Sequence, residues 1–553
     1  MTQKTLLILA IYGLATLTIT YPLITSLDDV TEFKDSRMYY WSIWWFQHAI
    51  SGLEDPMQTS HICHPNGISL YYQNRMPFML LLAMPLMMAA SVEIAYNLLI
   101  LGSFILCGYS TYLICKHLTG DDYASLIAGA LFAFSPLRMQ WVNLGWVNAI
   151  PAQWLVFHTY FLMRSLNSGK KRDIILAGIM LAFTAMTFLE HLVYAAITST
   201  IIVACHLASR TSLTNLRKTA TTSAGIILIF ILASSPILIP TLLETFPPKF
   251  VNPHPSQALS YSADATGIIL APPDHSMYGR FTKGFYEGLA TSDMTRITFA
   301  GYLCIGLAVL SLRYGKKREL IPWIAITIIF YLLSLGPHIN ILGNDTNLPG
   351  LYGLFRMIPG MGAMRFLARF TIISHLGLAV LAAYGFTTIR PRKAGTIKAL
   401  TVAFILIALL EARTPMEYIP PLPENPGYDL MKREPGIVMH VPYQGNDAMY
   451  VAARHGQPIV NCFLPRKPIR YMERGKIMKL QPTLNRIKHP ERMGEYDKMA
   501  EDVAALKTYD IRYVTIEKEF YESRGTDALR KYMLNMSASL IGEDDKIMIY
   551  SME

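Results

Sequence analysis

The chain has 553 residues, 52% of them hydrophobic and only 16% charged, with a net charge of +10 and a mean hydropathy of +0.30. Soluble globular domains carry about 25% charged residues, so the composition excludes an ordinary soluble protein and fits a polytopic membrane protein. The basic residues fall in short clusters between apolar runs rather than in one patch, which is a topology signal and sets nucleic acid aside as a partner.

The first apolar run, Leu6–Tyr21, follows a single lysine and lacks a small-residue cleavage pattern, so it reads as a retained span. The next stretch, "LDDVTEFKDSRMYYWSIWWFQH", sets Asp28, Asp29, Glu32 and Asp35 before Tyr39, Tyr40, Trp41, Trp44 and Trp45. On a helix starting near Ser36, the residues Arg37, Trp41, Trp44, Trp45 and His48 share a face. Asp35 or Ser36 would cap it, a carboxylate there suiting the helix dipole. Such a helix is expected along the membrane interface, where tryptophan and tyrosine concentrate. Two readings stand: a solvated acidic loop beside an aromatic belt, or a general base beside an aromatic groove that receives a lipid-borne substrate. The apolar run Met76–Ala90 is short and broken by prolines, and is predicted to be re-entrant or in-plane.

Further spans are predicted at Glu93–Cys115, Tyr123–Pro136, Trp146–Met163, Ile174–Leu189, Leu192–Leu207 and Ala220–Leu243. Others follow at Ile297–Leu312, Ile321–Leu335, Phe366–Thr388 and Ile397–Leu410, giving about eleven in all by the length rule. With the amino terminus inside, the basic loops Arg164–Asp173, Ser209–Lys218, Arg313–Glu319 and Arg390–Lys393 all face the cytoplasm. Residues 22–73, 244–296 and 337–365 then form outer loops of a membrane domain spanning 1–413. The last part, 414–553, is charged and carries β-rich fragments "GIVMHVPY", "IRYVTIE" and "KIMIYSM", which reads as a C-terminal extracytoplasmic α+β domain. Of six cysteines, Cys107, Cys115, Cys205 and Cys304 lie in apolar runs and read as packing residues. Cys63 and Cys462 fall outside and are expected as two unpaired thiols, a bridge between them being the alternative.

Several polar groups collect at outer helix ends. Glu190 and His191 form an ionisable pair at membrane depth, suited to a sugar hydroxyl or to proton transfer; the competing reading is an exposed helix terminus. Arg365 and Arg369 are four apart, on one helical face, and a guanidinium pair offers bidentate hydrogen bonding to a phosphate; lipid-headgroup anchoring is the alternative. Arg138 ends another span. Asp264 and the "PPDH" of Pro272–His275 lie in a proline-rich loop that could cover a site. His61, Cys63 and His64, too close in sequence to converge on one metal ion, read as a turn. Asp28, Asp29 and Asp35 could hold Mg²⁺ or Mn²⁺ with a sugar phosphate.

Across residues 1–390 stand, in this order, the segments "KDSRMYYWSIWWFQHAI", "HPNGISLYY", "AYNLLILGSFILCGYSTYLICKHLTG", "AGALFAFSPLRMQW", "YSADATGIILAPPDHSMYG" and "LPGLYGLFRMIPGMGAMRFLARF". In these the chain resembles the GT-C class of membrane glycosyltransferases, and within it uncharacterised prokaryotic multi-span members. The resemblance implies transfer of a sugar from a polyprenyl- or dolichyl-phosphate carrier to an extracytoplasmic glycan, lipid or protein. It implies Asp35 as catalytic base ahead of a jaw helix, with Asp29 and Asp28 as second choices. Arg365, Arg369, Arg138, Glu190, His191, His48, Trp44 and Asp264 are the candidate substrate-binding residues. No "WWDYG" occurs, so transfer of oligosaccharide to asparagine is disfavoured. A multi-span transporter or lipid flippase is the competing class; it predicts inverted repeats and charges near the bilayer midplane, whereas here the charges gather at outer ends.

Overall fold

The computed structural model describes the chain except residues 1, 32–34, 72, 74, 211, 246–254, 288–297, 315–316, 415, 417, 443–444, 462–463, 465–479, 481, 484, 488–498, 523–525 and 553. In chain order its α-helices up to residue 455 are α1 (Gln3–Ile19), α2 (Asp35–Ser51), α3 (Pro77–Met87), α4 (Val92–Thr119), α5 (Asp122–Ala133), α6 (Pro136–Asn143), α7 (Gln153–Ser168), α8 (Lys171–Thr187), α9 (Leu189–Ala208) and α10 (Leu213–Thr245). They continue with α11 (Pro255–Ser260), α12 (Gly279–Glu287), α13 (Tyr302–Tyr314), α14 (Lys317–Ser334), α15 (Leu351–Phe355), α16 (Thr371–Ile389), α17 (Ala394–Ala412), α18 (Pro426–Arg433) and α19 (Gly445–His455). Two compact units result. The larger comprises Met1–Leu27, Leu98–Ile239 and Asn252–Glu417; the other comprises Asp28–Asn97, Pro240–Val251 and Tyr418–Glu553.

In the larger unit each predicted apolar segment overlaps a helix, Ile297 of the predicted span Ile297–Leu312 lying outside the described residues. Among the described residues, five helices are long and apolar enough to cross a membrane: Val92–Thr119, Leu189–Ala208, Leu213–Glu244, Leu367–Ile389 and Ala394–Ala412. The chain is thus an integral membrane protein, mostly helical. Local chemistry sets the helix ends. Asp121 caps α5, accepting from the amides of Tyr123 and Ala124. Gly169 ends α7 in the left-handed region at φ +67°, where a side chain is disfavoured. The predicted span Trp146–Met163 differs at its start, because α7 begins only at Gln153. Pro151 keeps the preceding residue out of the helical region, and Trp146–Ala152 is apolar because it is buried, not because it is helical.

The core of this unit is α16, buried along nearly its whole length. It is approached at backbone distance by two neighbours, since a β-carbon on Gly385 would collide with the Leu307 carbonyl of α13 and one on Gly377 with Thr327 of α14. Gly385→Val is therefore expected to lower stability by about 3 kcal/mol or more, read as a fall in the unfolding midpoint in detergent. The same substitution at Gly102, where nothing lies within reach, serves as the control. At one end of this unit the basic loops meet: Arg210 Nη2 donates to Asn167 Oδ1 at 3.4 Å and Arg318 Nη2 to the Ser209 carbonyl at 2.9 Å. Lys4 and Lys116 pair with Asp122 at 2.8 and 3.0 Å, and Arg390 with Asp121 at 3.0 Å.

The second unit is built on a four-stranded sheet of order β7 (Ile437–Val441), β8 (Ile511–Glu517), β10 (Ile547–Ser551) and β9 (Ser539–Glu543). β7 and β8 run parallel, and the other pairs antiparallel. These strands are the three β-rich fragments read from the sequence, plus β9. Their inner face packs Met439, Val514, Ile516 and Met548 against Leu529 and Met533 of a covering helix. Residues 28–97 join this unit through three devices. Val30–Thr31 pairs with Tyr418–Ile419. The amides of Cys63 and His64 donate to the carbonyls of Asn461 and Ile459 at 3.3 and 3.2 Å. And α2 packs along α19. Cys63 is disulfide-bonded, which corrects the expectation of an unpaired thiol; Cys462 lies outside the described residues. Cys107, Cys115, Cys205 and Cys304 are free thiols, as expected.

The aromatic stretch is also placed differently from expectation. Tyr39, Tyr40, Trp41 and Trp45 are buried in this unit rather than forming an interfacial belt, because rings of this size gain more from close packing against α19 and α3 than from a half-wet surface. His61 packs on Trp45 at 4.8 Å, and His455 of α19 packs on Tyr428 at 6.0 Å. Burial holds the His455 imidazole down to about 3, with the charges of His440 and Lys432 adding, and holds His61 down to about 4, with His48 adding. Both are neutral in the folded unit, while an unfolded histidine binds a proton below pH 6.5. Their contribution is fully present above that pH and is lost as pH falls from 6.5 towards 4. The unfolding midpoint is expected to drop across that window, and His455→Gln to flatten the drop.

Candidate functional site

In the larger unit, the junction of α8 and α9 and the short 3₁₀ turn Leu367–Phe370 bring four of the predicted residues together. Glu190 and His191 open α9 and are buried at 7% and 1% exposure, so they are not an exposed helix terminus. Arg369, 6% exposed, sets Nη1 3.6 Å from Glu190 Oε2. Its guanidinium lies over Trp146 and Phe366, each at 4.4 Å, and over Phe188 at 5.6 Å, a cation–π cage. Arg365 lies over the other partner of that cage, Phe366, at 4.9 Å. The two arginines are therefore related through a shared ring, not through an α-helical face: Arg365 precedes the 3₁₀ turn. His191 stands within electrostatic reach of Arg369 and Arg138, and its ring packs on Phe188 and Tyr194 at 5.0 and 5.6 Å.

Glu190 Oε2, His191 Nδ1, Tyr194 OH, Thr187 Oγ1 and Arg369 Nε are buried and make no hydrogen bond. Buried polar groups are nearly always hydrogen-bonded, and several left open in one place mark capacity for a ligand. A guanidinium, an imidazole and two hydroxyls together suit the oxygens of a phosphate or of a sugar. Tyr194 was missed in the sequence, although it stands four and three residues after Glu190 and His191 and so on their helical face. Phe366 and Trp146 were missed as well, since nothing in the sequence marks an aromatic ring as an arginine's bed.

The other two candidates in this unit are differently employed. Arg138 is fully buried, donates from Nη1 and Nη2 to the carbonyls of Ala133 and Ile150 at 2.9 and 2.8 Å, and lies over Phe104 at 4.7 Å. It pins the α5–α6 turn to the segment before α7. Asp264 accepts from Thr266 N and Oγ1 at 2.8 and 2.6 Å and from the amides of Leu342 and Gly343 at 3.2 and 2.7 Å. It anchors the hairpin of β4 (His338–Ile341) and β5 (Asn344–Pro349).

In the second unit Asp35 stands in the first turn of α2, where the helix dipole favours its charge. Asn446 Nδ2 donates to Asp35 Oδ1 at 3.3 Å, and the next residue of α19, Asp447, pairs with Arg37. Burial pulls the Arg37 guanidinium below its ordinary value, and the charge of Glu517 opposes this. One turn on, Tyr40 packs on Tyr96 and Tyr450 at 4.6 and 5.1 Å, and Tyr450 OH donates to Glu93 at 2.7 Å. Asp28 is exposed and Asp29 half-buried; the Asp29 carbonyl accepts from Asn97 at 2.8 Å. Trp44 stacks on His48 at 4.9 Å, and both meet His61, at 6.0 and 5.1 Å. Of the face expected to hold Arg37, Trp41, Trp44, Trp45 and His48, Trp41 stacks on Trp45 at 5.9 Å and Arg37 pairs with Asp447. Asn446 and Asp447 could not be found from sequence, lying more than four hundred positions from Asp35. Among the described residues no group of three or more histidine, cysteine or carboxylate side chains is arranged to hold a metal ion, and Asp28, Asp29 and Asp35 do not form one.

Solved structures identify this architecture. The mycobacterial arabinofuranosyltransferase AftD superposes with a TM-score of 0.62 at 14% identity, covering all of this chain and 40% of AftD. The oligosaccharyltransferase of Archaeoglobus fulgidus, solved with zinc and sulfate, superposes at 0.54 with 12% identity, covering 96% of this chain and 69% of the enzyme. The chain spans about two fifths of the length of the mycobacterial enzyme it matches. No curated protein matches it. The fold is that of the GT-C glycosyltransferases. Within it, the chain belongs to the family of the domain of unknown function DUF6311, matched over residues 3–411.

Proposed function

We propose that this protein is a GT-C glycosyltransferase that moves a sugar from a polyprenyl- or dolichyl-phosphate carrier to an extracytoplasmic acceptor. The observation that carries this reading is the buried Arg369–Glu190–His191–Tyr194 cluster, with its unspent hydrogen-bonding groups, in a fold shared with lipid-linked sugar transferases. In this proposal Arg369, with Arg365 beside it, holds the donor phosphate and stabilises charge on it as the sugar leaves. Glu190 orients Arg369, and His191 and Tyr194 bind sugar hydroxyls. Asp35, steadied by Asn446, takes the proton of the acceptor hydroxyl, and Trp44 and His48 offer a ring platform to a sugar. The carbon–oxygen bond to the carrier phosphate breaks as the bond to the acceptor oxygen forms, so a single displacement inverts the anomeric centre.

The orientation proposed has about eleven spans, residues 1–413 as the membrane domain and 414–553 outside. Two features support it: the basic loops gather at one end of the helix unit, and Cys63 is oxidised, as extracytoplasmic cysteines are. The test is to purify the protein in mild detergent and identify its bound lipids by mass spectrometry. A polyprenyl phosphate or its sugar adduct supports the transferase. Bulk phospholipid alone, with no prenyl carrier taken up on addition, would transfer the reading to a transporter.

A further inference from the structure

Sixteen residues along α9 from Glu190, at His206 and about 24 Å away by helical rise, lies a cavity of about 630 Å³. It opens between α4, α7, α9 and α14 at the end of the unit where the basic loops meet. Its polar wall carries His117, Asn167, His206 and Arg318, and its apolar wall includes Ile202 and Trp323. Arg318 spends Nη2 on the Ser209 carbonyl, which fixes the direction of its fork. The charges of Arg210 and Lys218 act on His206, and that of Arg164 on His117. Asp173 pairs with Arg164 at 3.3 Å, and Glu319, which lines the cavity and is hydrogen-bonded by Tyr384, keeps its charge and offsets Arg318, so the surplus is that of Arg210 and Lys218. The field left over is positive, in a cleft with a greasy side.

We propose that this cavity binds the phosphate headgroup of an anionic phospholipid from the leaflet facing the basic loops, its acyl chains lying along Ile202 and Trp323. A phosphate is the chemistry that a guanidinium, two imidazoles and an amide recognise. The apolar wall selects a lipid-borne phosphate over a free one, since a soluble anion leaves that wall wet. Basic pockets between helices on the cytoplasmic side have this character. The site is independent of the transferase reading: it uses none of the residues assigned to it.

The test is a titration of the purified full chain with phosphatidylglycerol, phosphatidylcholine and inorganic phosphate, followed by native mass spectrometry. Wild type is expected to retain phosphatidylglycerol over phosphatidylcholine by about fivefold or more, and Arg318→Ala to lose about fivefold. Arg318→Lys should recover part of the loss, and His206→Gln should weaken retention to a lesser extent. A photoreactive phosphatidylglycerol should crosslink in wild type to α9 or α14, a readout that requires no variant. Equal retention of the two lipids by wild type overturns the proposal, as does crosslinking confined to other helices. Binding of inorganic phosphate that phosphatidylglycerol fails to displace would overturn the lipid assignment and leave a free-anion site.

Discussion

Asp35→Asn protein, purified in the same detergent as wild type, is expected to fold, to carry an intact lipid-phosphate sugar, and to turn it over about 10²–10⁴-fold more slowly, the usual contribution of a positioned general base. Asparagine keeps the size of the side chain and can still face Asn446, so the α2–α19 contact survives. What is lost is the carboxylate that accepts the proton. The expected difference in bound lipid is qualitative: wild type should hold spent carrier, the variant a loaded donor. Asn446→Ala separates position from chemistry. It leaves the carboxylate in place and should lower turnover less, because the base loses only its orienting amide. If Asp35→Asn turns over normally while Asp29→Asn does not, the base is Asp29. If none of Asp28, Asp29 and Asp35 matters, Asp35 is a helix-terminal charge only.

The second large effect is expected at Arg369. Arg369→Ala leaves Glu190 as a buried carboxylate without its cation, which costs about 3–5 kcal/mol and should lower the unfolding midpoint by several degrees. The paired change Arg369→Met with Glu190→Gln removes both charges and should recover most of that stability while remaining inactive. Arg369→Lys is the informative variant for function. It keeps the charge beside Glu190 but loses the planar fork and its stacking on Trp146 and Phe366, and lysine is a poor substitute at a stacked or bidentate site. Near-native stability with at least about tenfold weaker donor retention would fix Arg369 as a phosphate ligand. Full donor retention by Arg369→Lys would reduce the arginine to a packing charge.

Much of the helical unit could be read directly. The apolar segments and the basic loops follow from one physical demand, that a chain in lipid must satisfy its backbone internally and keep its strong cations in water. Glu190, His191 and Arg369 were legible for the same reason, since ionisable groups at membrane depth are rare enough to be noticed. Their arrangement was not. Sequence spacing suggested a helical face for Arg365 and Arg369, whereas the chain puts a 3₁₀ turn there and relates them through Phe366. Arg138 and Asp264 carry the same kind of charge as the clustered residues, yet their hydrogen bonds go to backbone carbonyls and amides and, for Asp264, to the Thr266 hydroxyl as well. Only the bonding of each group separates a structural pin from a polar atom left open.

Composition and periodicity establish a multi-helix membrane protein with a β-containing tail, and show which ionisable residues stand at helix ends, because they report the solvent each residue must meet. The tertiary structure alone decided that residues 28–97 pack with the tail, that α2's aromatics are core and not belt, that Cys63 is bridged, and that Asn446 faces Asp35. Each of these is a contact between positions remote in the chain. Local pattern cannot fix such contacts, because they depend on how distant surfaces complement one another.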